Sequence, residues 1–140
     1  MILSPSERIA LRQSRSIIEM ATFNEEQQTR RFYGPQFFRS LMDELTAESD
    51  RINQQGERLV AGPVPAASLA IRVRDQTTGH VLEVEYDAGG AAIRSVCREK
   101  TELIAFRVLH HPVPSVVAVV DGQSLKPIEL SATLLEKLIR

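Results

Sequence analysis

The chain has a single cysteine, Cys97, and no tryptophan. One thiol rules out an internal disulfide, and such sparing use fits a reducing compartment. A surplus of either charge is also missing. Basic residues number 17 against 18 acidic, and residues 1–60 and 61–140 are each nearly balanced. Nucleic-acid binding draws on a basic excess, as does docking on anionic lipid. Neither nucleic acid nor membrane is therefore expected as a partner. Long apolar runs are absent too. The longest is Val116–Val120, far short of the roughly 20 residues a spanning helix needs. The opening Met-Ile-Leu-Ser-Pro-Ser-Glu-Arg has neither the positive start nor the apolar stretch of a secretory signal. A cytoplasmic location is expected.

What is present reads as one globular domain. The chain has 140 residues, of which 43% are apolar and 25% charged, close to ordinary folded proteins and away from disorder. Glycine and proline punctuate it. Ser4-Pro5-Ser6-Glu7 opens a first helix, with Ser4 as N-cap and Pro5 at the first helical position. Its apolar residues Ile9, Ile17, Met20, Ala21 and Phe23 make only a sparse stripe. Such a helix projects into solvent or packs on another chain. Gly34-Pro35 is read as the end of that helix and the start of a second. Phe37, Phe38, Leu41, Met42, Leu45 and Ile52 then share one face, and Gly56 marks a stop.

Residues 59–68 read as a Pro-rich linker after a helical part spanning 1–58. From Leu69 the apolar spacing changes to every second residue, which predicts strands. Turn signals at Thr77-Thr78-Gly79, Asp87-Ala88-Gly89-Gly90, Glu99-Lys100-Thr101 and Asp121-Gly122 divide the stretch 69–125. The expected fold class is α+β. It has two N-terminal helices, a mostly antiparallel meander of four to six strands, and a short C-terminal helix over 127–140. The intervals are too short for parallel crossovers. In layout this resembles cystatin-like domains and small secretion chaperones, a likeness that implies nothing about activity.

No residue cluster matches a catalytic, metal-binding or nucleotide-binding motif, so no catalytic residue, metal or cofactor is expected. His110 and His111 are adjacent on a strand end and point to opposite faces, which prevents chelation of one ion. Cys97 lies beside Arg98, and a cation can activate a thiol, yet no base stands at a telling spacing. Glu83, Glu85 and Asp87 alternate along one strand, and cross-strand pairing with arginines explains them without catalysis. Two functions remain. One is a non-enzymatic protein-interaction, adaptor or chaperone-like module, self-associating as a homodimer through the first helix. The alternative is a small-molecule-binding domain or simple enzyme, with a pocket between sheet and helix at Tyr86, Cys97, His110 and His111.

Overall fold

The computed structural model describes residues 2–65 and 69–140. One long helix, α1 (Pro5–Asn53), is followed by seven strands and a second helix. The strands are β1 (Leu59–Pro63), β2 (Ala70–Asp75), β3 (Val81–Asp87), β4 (Ala92–Cys97), β5 (Lys100–Leu109), β6 (Ser115–Val120) and β7 (Gln123–Leu125); the closing helix is α2 (Pro127–Ile139). Every strand pairs antiparallel with the next, in the order β1-β2-β3-β4-β5-β6-β7. The class is α+β. Strand β5 is shared: Lys100–Ile104 pairs with β4, and Ala105–Leu109 pairs with β6. Beyond the end of β4 the outer edge of β5 is therefore open.

The two expected N-terminal helices are one. Gly34 and Pro35 both lie inside α1, although proline removes a backbone donor and crowds the preceding turn. Gly34 is there for space, not for termination. A Cβ built on it would sit 3.0 Å from Tyr86 Cε2, 3.0 Å from Tyr86 Oη and 3.1 Å from Phe106 Cε2. The helix backbone thus lies directly on two aromatic rings. Just past Pro35, Phe37, Phe38, Leu41 and Leu45 are buried, and that packing holds the helix through the proline. Hydrophobic contact with the sheet outweighs the local preference to stop.

The strand count of four to six also falls short of the seven observed. One missed strand lies in the expected linker: Leu59–Pro63 is β1, in register with β2 from Leu59↔Asp75 to Pro63↔Ile71. An edge strand tolerates Pro63 because one side of it needs no ladder. The other missed strand, β7, has three residues. Ala66, Ala67 and Ser68 of that linker lie outside the described residues.

Both helices pack on one face of the sheet. The core joins the α1 residues above to Ile71, Val73, Leu82, Val84, Ile93, Ile104, Phe106, Val116 and Ala118 of the strands, and to Leu130, Leu134, Leu135 and Leu138 of α2. On the opposite face Arg72 pairs with Glu83 at 3.1 Å and Arg94 with Glu85 at 2.7 Å. These pairs satisfy the acidic row of β3 across both of its neighbours.

A polar node closes the end of the sheet near the C-terminus of α1. The Asp75 side chain is fully buried and accepts from Arg58 Nε and Nη2 at 3.0–3.2 Å and from the Thr77 backbone N–H at 2.9 Å. Arg58 Nη2 also donates to the Ile139 carbonyl at 3.4 Å. Asn53 Oδ1 accepts from the backbone of Arg58 and Leu59, while its Nδ2 donates to the Leu59 carbonyl. The arginine hydrogen bonds hold the Asp75 carboxyl below the usual carboxylate range against the opposing effect of burial, with help from Thr77 and Thr78.

Two outcomes follow. Leucine favours a helix over glycine by nearly 1 kcal/mol, so Gly34→Leu would stabilise an uncrowded helix. Here chemical denaturation will show a loss of about 2 kcal/mol, because the side chain must displace the Tyr86 and Phe106 rings. Asp75 has a lowered native pKa, so its contribution is complete above its unfolded value of about 3.9 and is lost as pH falls through the native value. Asp75→Asn will cost about 2 kcal/mol at neutral pH through weakened charged hydrogen bonds. In urea titrations at successive pH values, it will also flatten the acid limb of the stability curve.

Candidate functional site

The four residues singled out in the sequence are not brought together. Tyr86 sits under the Gly34 turn of α1, its ring centroid 6.3 Å from Phe38 and 6.4 Å from Phe106. Burial pushes its phenol pKa up. Cys97 is on the same face of the sheet but opposite Leu82, four residues along β3 from Tyr86, or roughly 13 Å at the usual strand rise. His110 and His111 follow β5 at its far end and are exposed. His110 Nε2 lies 3.8 Å from Glu26 Oε1, with most of its side chain in solvent.

Of the four, Cys97 borders a cavity of about 310 Å³, which lies between β3–β5 and α2. Its thiol is partly buried. Burial pushes its pKa up, which outweighs the opposing pull of Arg98 and Lys137, and Glu102 adds to the rise. At neutral pH it is a protonated, weakly polar wall and not a nucleophile. Among the described residues no three of His, Cys, Asp and Glu converge as a metal site, and no helix is long and apolar enough to cross a membrane.

The most unusual surface is the N-terminal part of α1. Ser4 caps it, accepting from the Glu7 backbone N–H at 3.3 Å, and residues 5–25 are exposed at every position. At 1.5 Å per residue this arm is roughly 30 Å long. Its exposed side chains include Ile9 (56%), Ile17 (68%), Ile18 (64%), Met20 (67%) and Phe23 (61%). At 100° per residue Ile9, Ile17, Met20 and Phe23 fall within an arc of about 120°. An isolated helix of this length is marginal in water; continuity with the packed half supports it.

A collar marks where the arm leaves the sheet. Gln27 Nε2 donates to the Gly90 carbonyl at 3.3 Å. Arg30 Nε donates at 3.0 Å to the Phe106 carbonyl, on the open edge of β5. Arg30 also pairs with Glu26 at 3.3 Å. The sparse apolar stripe made the arm visible in the sequence. The collar was not visible, because both of its long contacts are to backbone carbonyls, which carry no residue signature.

The raised thiol pKa has a measurable consequence. Alkylation of Cys97 by iodoacetamide will be slower at pH 8 than that of a free cysteine, and its rate will reach half-maximum above the ordinary thiol value of about 8.5. Set against known protein families, curated proteins and solved structures, the chain gives no match.

Proposed function

We propose that the protein is a non-enzymatic interaction module whose arm pairs antiparallel with the arm of a second copy. The exposed arm carries this reading: 21 successive exposed positions holding several large apolar side chains. Apolar surface of that kind on a regular helix marks a contact site.

Charge selects the occupant and the direction. The first half of the arm holds Arg8, Arg12 and Arg15 against Glu7, the second half holds Glu19 and Glu25, and Glu26 follows at the collar. A parallel pair would set like charges side by side, whereas an antiparallel pair sets each basic half against an acidic one. Centred on Ile17, it brings Arg15 level with Glu19 and Arg8 level with Glu26 of the second copy, outside the apolar stripe. Full burial of a large aliphatic side chain is worth about 1.5–3 kcal/mol. Against an association cost of about 4–15 kcal/mol, a few such contacts per chain give an affinity on the order of micromolar. The small-molecule alternative is supported by a separate feature, the cavity beside Cys97, and is compatible with assembly.

Sedimentation equilibrium on the full chain tests the pairing. The native protein will dimerise at micromolar concentration, and Ile17→Glu will weaken the dimer about 100-fold, since both copies lose a contact. Changing Arg8, Arg12 and Arg15 together to Glu will give a monomer, as will changing Glu19 and Glu25 together to Arg. Mixing the two variants will restore a heterodimer. A native chain that stays monomeric at several hundred micromolar defeats the proposal.

A further inference from the structure

The cavity beside Cys97 lies at the end of β4 away from the collar. Its shape comes from a change of residue size on the inner face of the sheet. Along β4 that face runs Ile93, Ser95, Cys97, so two small side chains succeed a branched one. Leu82 of β3 and Leu134 of α2 complete an apolar floor. The volume is about ten times the roughly 30 Å³ that a water occupies in the liquid, at the lower end of the range for ligand sites.

The rim is strongly basic in a chain whose net charge is −1. Arg98, Lys100, Lys137 and Arg140 line the cavity, and Glu102 is the acidic residue among the lining side chains. With Glu136, which pairs with Arg140 at the rim, the local charge is +2. Lys137 Nζ engages both Glu102 oxygens at 2.9 and 3.1 Å, Arg140 pairs with Glu136, and Arg98 Nη2 donates to the Leu138 carbonyl at 3.2 Å. Among the described residues Lys100 has no ion-pair partner. Inside, Ser95 is 5% exposed, borders the cavity, and its hydroxyl makes no hydrogen bond within the described residues. Its oxygen is not among the buried atoms left without a partner, so it opens on the cavity and can serve a group held there.

We infer that this cavity is a binding site for a small amphipathic carboxylate. The apolar body would lie on Leu82, Cys97 and Leu134, and the carboxylate at the basic rim would be held by Lys100 with Lys137. A simple inorganic anion would leave the apolar floor unfilled. A neutral compound of equal length would leave the rim without a counter-charge. About ten heavy atoms fill the volume, which makes octanoate the natural probe.

Isothermal titration of the full chain with octanoate, octanol and inorganic phosphate tests the assignment. Octanoate will bind with a Kd at or below about 1 mM, equivalent to about −4 kcal/mol, and at least tenfold more tightly than octanol or phosphate. Lys100→Glu, at the exposed first residue of β5, will weaken octanoate at least tenfold with unchanged melting temperature. Ser95→Leu will fill the cavity and abolish binding; Ser95→Ala, which removes the hydroxyl but keeps the space, will retain binding at reduced affinity. No heat with octanoate at about 10 mM overturns the inference. So does equal binding of octanol, or octanoate binding insensitive to both Lys100→Glu and Ser95→Leu. A phosphate preference would also overturn it. Arm variants leave this readout untouched, so failure here and failure of the dimer are separable.

Discussion

The backbone of α1 passes so close to Tyr86 and Phe106 at Gly34 that a single added methyl group would press on both rings. That approach sets the height of the helix above the sheet. Phe37 and Phe38 reach the inner strands only because the turn before them lies so low, and Phe37 then meets Phe106 edge-on at 5.3 Å. The same closeness places Arg30, one turn earlier, within reach of the open Phe106 carbonyl. Anchor, core and the departure of the arm therefore share one geometric origin.

Much of this architecture was legible because spacing and burial agree. The change from helical to alternating spacing, the inward residues of β2 to β6 and the α2 leucines all follow from where apolar groups must go. Asp121-Gly122 announced the tight β6–β7 turn, with φ of 51° and 78°. The β4–β5 turn has the same two-residue form at Arg98 and Glu99, with φ of 52° and 67°, so the turn expected at Glu99-Lys100-Thr101 comes one residue earlier and Lys100 and Thr101 open β5. Pairing of the flanking strands at Cys97↔Lys100 holds it. Gly34-Pro35 misled for the opposite reason: the residues that usually stop a helix here permit close contact with distant rings. Local chemistry cannot reveal a partner more than 50 residues away.

The candidate sites were legible to different degrees. An arm with too few apolar positions for a monomer core can be seen by counting them. The cavity cannot, because it arises from Ser95, Cys97, Glu102 and Lys137 on three elements, each ordinary in its own segment. Cys97 drew notice as a possible nucleophile, and burial gives it the opposite character. Tyr86, His110 and His111 drew notice as chemical types, while the fold uses Tyr86 in packing and leaves both histidines at a strand end.

An arm joined to its domain by unbroken helix has a fixed rotational phase. Each added or removed residue between the collar and the arm would turn the apolar stripe by about 100° and shift it by 1.5 Å. Length changes there would preserve the heading of the stripe only near whole numbers of turns, about seven residues at a time. A flexible tether would tolerate any length; this screw-like coupling makes the heading of the stripe relative to its own sheet a property of residue count.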